Sequence, residues 1–224
     1  APVAWEKHLG KVSWDYLAPE DKRCDNPELD AYLKTITDPL LAALDSPYQF
    51  KFVVVDEPAV NAFALPGGFI TVNRGLLESV ESGEEIAAVV AHEIHHVTER
   101  HGLKRMARQL SVWTLVGWTL GIIDLGSFAS LVIGLVNTGY DRDQERDADR
   151  LGHRLLVKAE IDPGGMAIFF SRLAETQPDG PSLFSTHPAS EERAAAVATL
   201  PGPKGVARKL NPPQIYDCFA SPKG

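Results

Sequence analysis

Apolar residues recur at helical spacing over much of the chain. Leu29, Leu33, Ile36, Leu40, Leu41 and Leu44 lie on one face of a predicted helix over about 27–45. Asn26 stands as its N-cap, Pro27 fits its first turn, and Pro39 is placed to kink it. The pattern then changes period. Tyr48 to Val55, Asn61 to Leu65 and Phe69 to Asn73 are β-rich runs, and Pro66-Gly67-Gly68 joins the last two with hairpin chemistry. Three short strands thus form a small antiparallel sheet in a mostly helical α+β chain.

Leu76, Leu77 and Val80 make a short helix that stops near Gly83. One strong helix is predicted from Glu84 to about Arg108. Ser82 is its N-cap, and Glu84 and Glu85 suit the positive end of its dipole. A charged helix spans Asp141 to Ala159, another runs from Asp162-Pro163 to Ala174, and a last one covers Pro188 to Leu200. Residues 1–25 read as an N-terminal arm, 26–200 as one domain, and 201–224 as a Pro-rich tail packed on it. The order places the sheet beside the helices that carry the chemistry.

Composition narrows the function classes. With 224 residues, 44% hydrophobic and 23% charged, the chain can bury one sizeable core and is not disordered. Its net charge is −8 and it has no basic run, which argues against nucleic acid as a partner. Cys24 and Cys218 are either one terminal staple of an exported protein or two separate thiols. Between Arg108 and Asp141 the only charged residue is Asp124. The uncharged pieces on either side of it are shorter than the ~20 residues a membrane span needs. Asp124 in mid-bilayer would cost about 3 kcal/mol. Two short helices turning near Asp124-Leu125-Gly126 and covering a cleft fit better; peripheral membrane or envelope-protein contact through 110–140 is the other reading.

The long helix carries His92-Glu93-Ile94-His95-His96, an H-E-x-x-H pattern. Residues four apart share a helix face, so His92 and His96 can present two imidazoles to one ion, and zinc accepts such nitrogens. Glu93 projects beside the pair as a general base for a water at the open position. A catalytic zinc wants a third protein ligand. Glu145 on the next charged helix can supply it, and Asp149, one turn on, can accept a hydrogen bond from His92. Asp143 and Asp147 read as a solvated face, and His8, His101 and His153 as surface or satisfied histidines.

H-E-x-x-H followed by E-x-x-x-D resembles the gluzincin zinc peptidases. Asn61-Ala-Phe-Ala-Leu-Pro-Gly-Gly, Ala91-His-Glu-Ile-His-His, Glu145-Arg-Asp-Ala-Asp149 and Ser185-Thr-His187-Pro-Ala-Ser-Glu-Glu-Arg193 narrow the likeness. It is to the HtpX and CAAX prenyl protease family, above all its soluble periplasmic BepA-like and LoiP-like members. The resemblance covers about residues 26–200 and implies a metalloendopeptidase with one Zn2+ per chain. It implies His92, His96 and Glu145 as ligands, Glu93 as base and Asp149 as supporting carboxylate. It also implies that His187 and Arg193 lie near the metal, the histidine either capping the ion in a latent state or helping to bind the reacting carbonyl. Asn61, Ala62, Phe63 and Ala64 match the strand beside which a substrate lies. The implied setting is the periplasm or another exported compartment, with a signal peptide removed and membrane association open. The implied substrates are misfolded or stalled envelope proteins, and a chaperone-like or assembly role with a capped zinc is the alternative. The family usually has a small residue where His95 stands; the imidazole either narrows the site or adds a proton-transfer group. The oligomeric state has no sequence signal.

Overall fold

A computed structural model describes residues 2–109, 117, 121, 139–176, 187, 191–203, 205–214 and 217–218. The fold is α+β and mostly helical. Helix α1 is Val3–Leu17, α2 is Pro27–Ala43, and strands β1 (Lys51–Val55), β2 (Ala62–Leu65) and β3 (Phe69–Asn73) follow. Then come α3 (Arg74–Ser79), α4 (Gly83–Thr98), α5 (His101–Gln109), α6 (Arg142–Lys158), α7 (Gly164–Thr176) and α8 (Glu191–Ala198).

The sheet is mixed rather than antiparallel throughout. Its order is β1-β3-β2, with β2 antiparallel to β3 and β1 parallel to β3. The chain leaves β1, crosses to the far edge as β2, and the tight turn inserts β3 between them. Gly67 and Gly68 hold that turn at φ 81° and 104°, a region that side-chain-bearing residues avoid. β3 is buried along its length, while β2 keeps an edge with no further strand on it among the described residues.

Helix α4 is the centre of the fold, buried from Glu85 to Val97. The reason lies in Ile86-Ala-Ala-Val-Val-Ala91, which offers no polar stripe to water. Ser82 Oγ accepts from the Glu85 backbone amide, and the Ser82 hydroxyl donates to Glu85 Oε1 at 3.0 Å. The α2 cap works the same way, with Asn26 Oδ1 accepting from the Glu28 and Leu29 amides and Pro27 at the first helical position. Helix α6 lies close along α4, because a Cβ at Gly152 would stand 3.1 Å from the His92 nitrogen.

Two sequence expectations change. Residues 3–17 of the predicted arm form a helix, α1. Gly10 weakens its helical signal, yet a Cβ there would come within 1.8 Å of the Pro66 carbonyl oxygen. Tertiary contact with the β2–β3 turn therefore sets this residue. The helix predicted over Glu84 to Arg108 is broken into α4 and α5 at Arg100, which adopts φ 55°. Its guanidinium is held by Tyr48 Oη at 2.9 Å and by the buried Glu6 at 3.2 Å. This anchoring compensates a backbone conformation that a non-glycine residue seldom takes.

Cys24 and Cys218 form a disulfide across 194 residues. Described parts of the C-terminal segment cross the domain: the Leu210 amide donates to Glu84, Tyr32 Oη to the Asn211 carbonyl, and Asn26 Nδ2 to the Asp217 carbonyl. The expected turn near residues 124–126 and the rest of the uncharged stretch lie outside the described residues, apart from residues 117, 121, 139 and 140. Among the described residues no helix is long and apolar enough to cross a membrane.

Candidate metal centre

Four buried side chains converge where α4 and α6 pack. His92, His96, Glu145 and His187 each offer one ligand atom, and these atoms lie within 4.8 Å of one another. His92 Nε2 and His96 Nε2 are 2.9 Å apart. Glu145 carboxylate oxygens stand 3.5 Å from each of these nitrogens. One helical turn separates the two histidines on α4, and α6 brings Glu145 to the same point.

The neighbours of these donors determine which atoms face inward. His92 Nδ1 is 2.9 Å from Asp149 Oδ1, so Nδ1 carries the proton and Nε2 keeps its lone pair. His96 Nδ1 is 3.0 Å from His101 Nδ1; with His101 as the acceptor of that pair, the His96 lone pair also lies at Nε2. Two inward lone pairs at 2.9 Å, beside a carboxylate, repel one another unless a cation lies between them. The donor set of two imidazoles and a carboxylate is the chemistry zinc takes. The residues present therefore fit the implied ion.

Glu93 is fully buried next to this cluster, with Oε1 3.2 Å from His187 Nε2. Burial pushes its carboxyl above the ordinary range, and His187 and His92 offset only part of that rise. Such a group is a stronger base than a surface glutamate. Glu145 goes the other way: burial pushes it up, but His187, His92 and His96 hold it well below the usual carboxylate range. One carboxylate of the pair is thus set to take a proton and the other to stay ionised. The Ala64 backbone amide faces Glu93 from β2.

His187 sits inside the cluster. Its Nδ1 is 2.9 Å from Glu145 Oε1 and 3.2 Å from His92 Nε2, and it is buried. Arg193 on α8 holds two carboxylates together. Its Nε and Nη2 donate to the two Asp149 oxygens at 2.7 Å each, and Nη1 is 2.7 Å from Glu145 Oε2. Burial pulls the Asp149 carboxyl up, and Arg193 and His92 outweigh it to leave it lowered. Asn61 to Ala64 run along the free edge of the sheet, with the Asn61 carbonyl accepting from the Asn73 amide at 2.9 Å. In an antiparallel ladder this turns the amides and carbonyls of Ala62 and Ala64 outward.

Three residues that the sequence reading did not assign to the site also belong here. His101 is buried and orients His96 rather than standing as an isolated histidine. Tyr140 stacks on the His96 ring at 3.7 Å and 14°. Arg105 lies over the Tyr140 ring at 4.2 Å, so the tyrosine is held between two planar groups. His101 had one legible signal, its place one turn past His96; the tyrosine and arginine had none, because stacking depends on how α5 and α6 meet. His95 is not among the converging donors. Its Nδ1 is 3.1 Å from Thr98 Oγ1 on its own helix, and burial lowers its pKa to about 4. His153 is buried and His8 exposed, while Asp143 and Asp147 pair with Arg146 and Arg150 on the exposed face of α6.

Comparison with known proteins agrees with this geometry. Residues 27–200 match Peptidase family M48. The chain is 34% identical over 189 residues to a putative beta-barrel assembly-enhancing protease of Vibrio cholerae serotype O1, covering 75% of this chain and 38% of that protein. It is 32% identical over 180 residues to the metalloprotease LoiP of Escherichia coli, covering 77% of this chain and 70% of LoiP. It is 32% identical over 158 residues to the mitochondrial metalloendopeptidase OMA1 of Arabidopsis thaliana, covering 66% of this chain and 31% of that protein. The chain thus spans well under half the length of several relatives it matches. Two converging imidazoles, a buried glutamate beside them and a match over most of the chain place this protein in peptidase family M48.

Proposed function

We propose that the protein is a zinc-dependent endopeptidase, acting in the periplasm or another exported compartment on misfolded or stalled envelope proteins and held latent by His187. The observation that carries this reading is the convergence of His92, His96 and Glu145 beside the buried Glu93. His92 Nε2, His96 Nε2 and a Glu145 oxygen would hold the ion. When bound, it supplies Lewis acidity toward a peptide carbonyl and an acidified water.

The protein's own groups do the rest. An extended substrate adds to the free edge of β2, where Ala62 and Ala64 present outward amides and carbonyls. Glu93 takes the water proton on a carboxylate oxygen and hands it to the leaving amine. Asp149 keeps the His92 proton on Nδ1, and Arg193 keeps Asp149 and Glu145 ionised and in place. His187 has to leave its position between Glu145 and His92 for a substrate to enter.

That same position favours a second reading. With His187 3.2 Å or less from Glu145, His92 and Glu93, the site is capped, and the protein acts mainly as a chaperone-like or assembly partner. Metal analysis paired with casein cleavage separates the two. Glu93→Gln is expected to keep zinc and lose cleavage, and His187→Ala to cleave several-fold faster than wild type. Normal turnover in Glu93→Gln would sink the mechanism. A zinc-replete His187→Ala protein that stays inert would favour the second reading.

A further inference from the structure

A cavity of about 390 Å³ opens between α6 and α8. Tyr140, Glu145 and Arg193 close its inner end, and Ala196, Val197 and Leu200 form its apolar wall. A second hollow of about 220 Å³ continues it: Arg150 and Leu200 line both, and the second reaches Val157 and Pro201. Together they make an elongated groove that starts at the metal centre and follows α6 outward.

One side of this groove is a row of arginines. Arg142, Arg146, Arg150 and Arg154 stand four residues apart, all exposed, and all line one hollow or both. This row lies on a chain whose net charge is −8. Arg146 pairs with Asp143 at 2.8 Å and approaches Glu192 at 3.9 Å, and Arg150 pairs with Asp147 at 3.1 Å. These pairs are exposed and screened by solvent, and they exchange easily for another carboxylate. Arg142 and Arg154, at the two ends, have no ion pair among the described residues.

The spacing of the row selects the shape of its occupant. Residues four apart on a helix rise about 6 Å. Alternate residues of an extended chain are about 6.6 Å apart. Each step also turns about 40° around the helix, so the three arginines that share the larger cavity, Arg142, Arg146 and Arg150, can meet acidic side chains at every second position of a twisted extended segment, and Arg154 is reached only where the groove bends into the second hollow. The intervening side chains point the opposite way, toward the apolar wall from α8. From Arg142 to Arg154 the helix rises about 18 Å, and four partners at alternate positions take seven extended residues, about 20 Å from first to last. A small anion would use one arginine and leave the rest of the groove empty.

We propose that the α6–α8 groove docks an extended polypeptide segment in which acidic residues alternate with apolar ones, and that it delivers a substrate chain to the adjoining metal centre. The delivery rests on the peptidase reading; the docking does not. Binding is therefore measured on zinc-loaded Glu93→Gln protein, by fluorescence anisotropy of labelled eight-residue peptides with alternating Glu and Val, alternating Lys and Val, or four Glu followed by four Val. The alternating acidic peptide is expected to bind at least tenfold tighter than either of the others, and to weaken as salt rises. Arg142→Glu/Arg154→Glu should cost it at least tenfold; Arg142→Ala/Arg154→Ala, the milder pair, should cost several-fold, with unchanged circular dichroism. Equal affinity for the Lys peptide or the block peptide, or wild-type affinity in both double variants, overturns the proposal. So does binding of phosphatidylglycerol vesicles without binding of the peptide. A dimer seen in sedimentation that the double reversal dissociates and the peptide leaves intact would assign the groove to a second copy, and overturns it too. Peptide binding with no cleavage by zinc-replete His187→Ala protein removes the peptidase reading and leaves the groove; cleavage without selective peptide binding removes the groove alone.

Discussion

His101 Nδ1 stands 3.0 Å from His96 Nδ1, on the side of the His96 ring away from the converging donors. The contact exists because α4 ends at Thr98 and the chain turns through Arg100 before α5 begins. Burial holds the His101 pKa at about 4, so its ring is neutral at pH 7 and its Nδ1 can accept the His96 Nδ1 proton. His101→Ala is expected to weaken zinc binding about 10- to 100-fold, the usual cost of losing a hydrogen-bond partner of a ligand. His101→Asn, whose carbonyl can accept the same proton, should recover part of it. Competition with a chromophoric chelator measures both; unchanged affinity in His101→Ala removes the role.

Arg193 binds Asp149 through two nitrogens and Glu145 through a third, all in a buried setting. Removing the guanidinium leaves two buried carboxylates uncompensated. Arg193→Ala should lose about 3–5 kcal/mol in urea unfolding of chelator-treated protein. Arg193→Lys should recover little, because a single ammonium cannot reproduce the planar fork. A loss under ~1 kcal/mol in the alanine variant contradicts this account.

Cys24 and Cys218 close a loop of 194 residues. The chain-entropy argument gives about 5 kcal/mol as the ceiling of its contribution. Cys218→Ser should therefore show a lowered thermal midpoint under oxidising conditions, and a reductant should lower the wild type to a similar value without changing the variant.

Asp141 caps α6, the helix that carries Glu145 and Asp149. Its Oδ1 accepts from the Gln144 amide at 2.9 Å, and Gln144 Oε1 accepts from the Asp141 amide at 3.3 Å. Burial pushes the Asp141 carboxyl up, and the Gln144 amide and Arg108 outweigh it, so its pKa lies below 3.8. A lowered carboxylate pKa means stability that is present above the ordinary aspartate range and is lost as pH falls through the folded value. Asp141→Ala should cost about 1 kcal/mol at pH 7. Asp141→Asn should cost less and flatten the loss of stability between pH 5 and 3, read from urea midpoints across that range.

Much of the site was legible because its chemistry is local. His92, Glu93 and His96 lie within five residues of one helix, and Glu145 and Asp149 one turn apart on another. A 3.6-residue period puts each set on one face before any folding is known. The strands and the α2 and α4 caps were legible for the same reason. The single helix predicted from Glu84 to Arg108 failed because its break depends on Glu6 and Tyr48, which are remote in sequence from Arg100. The helix α1 was missed because Gly10 answers to Pro66 and not to its own neighbours. The parallel pairing of β1 with β3 could not be read from strand composition, which does not encode strand order.

The sequence by itself determined that two imidazoles and a neighbouring glutamate share one helix and that Glu145 and Asp149 share another, with their spacing on each. Side-chain identity and helical period are properties of a short segment. Only the tertiary structure decided the distances at which His187 stands among the donors, that Arg193 clamps Asp149 and Glu145, and that His101 and Tyr140 brace His96. These relations join residues dozens of positions apart, and their geometry is set by how α4, α5, α6 and α8 pack. The row of arginines on α6 shows both sides of this division. Its four-residue spacing is written in the chain, and its meaning as one wall of a groove exists only because α8 supplies the other.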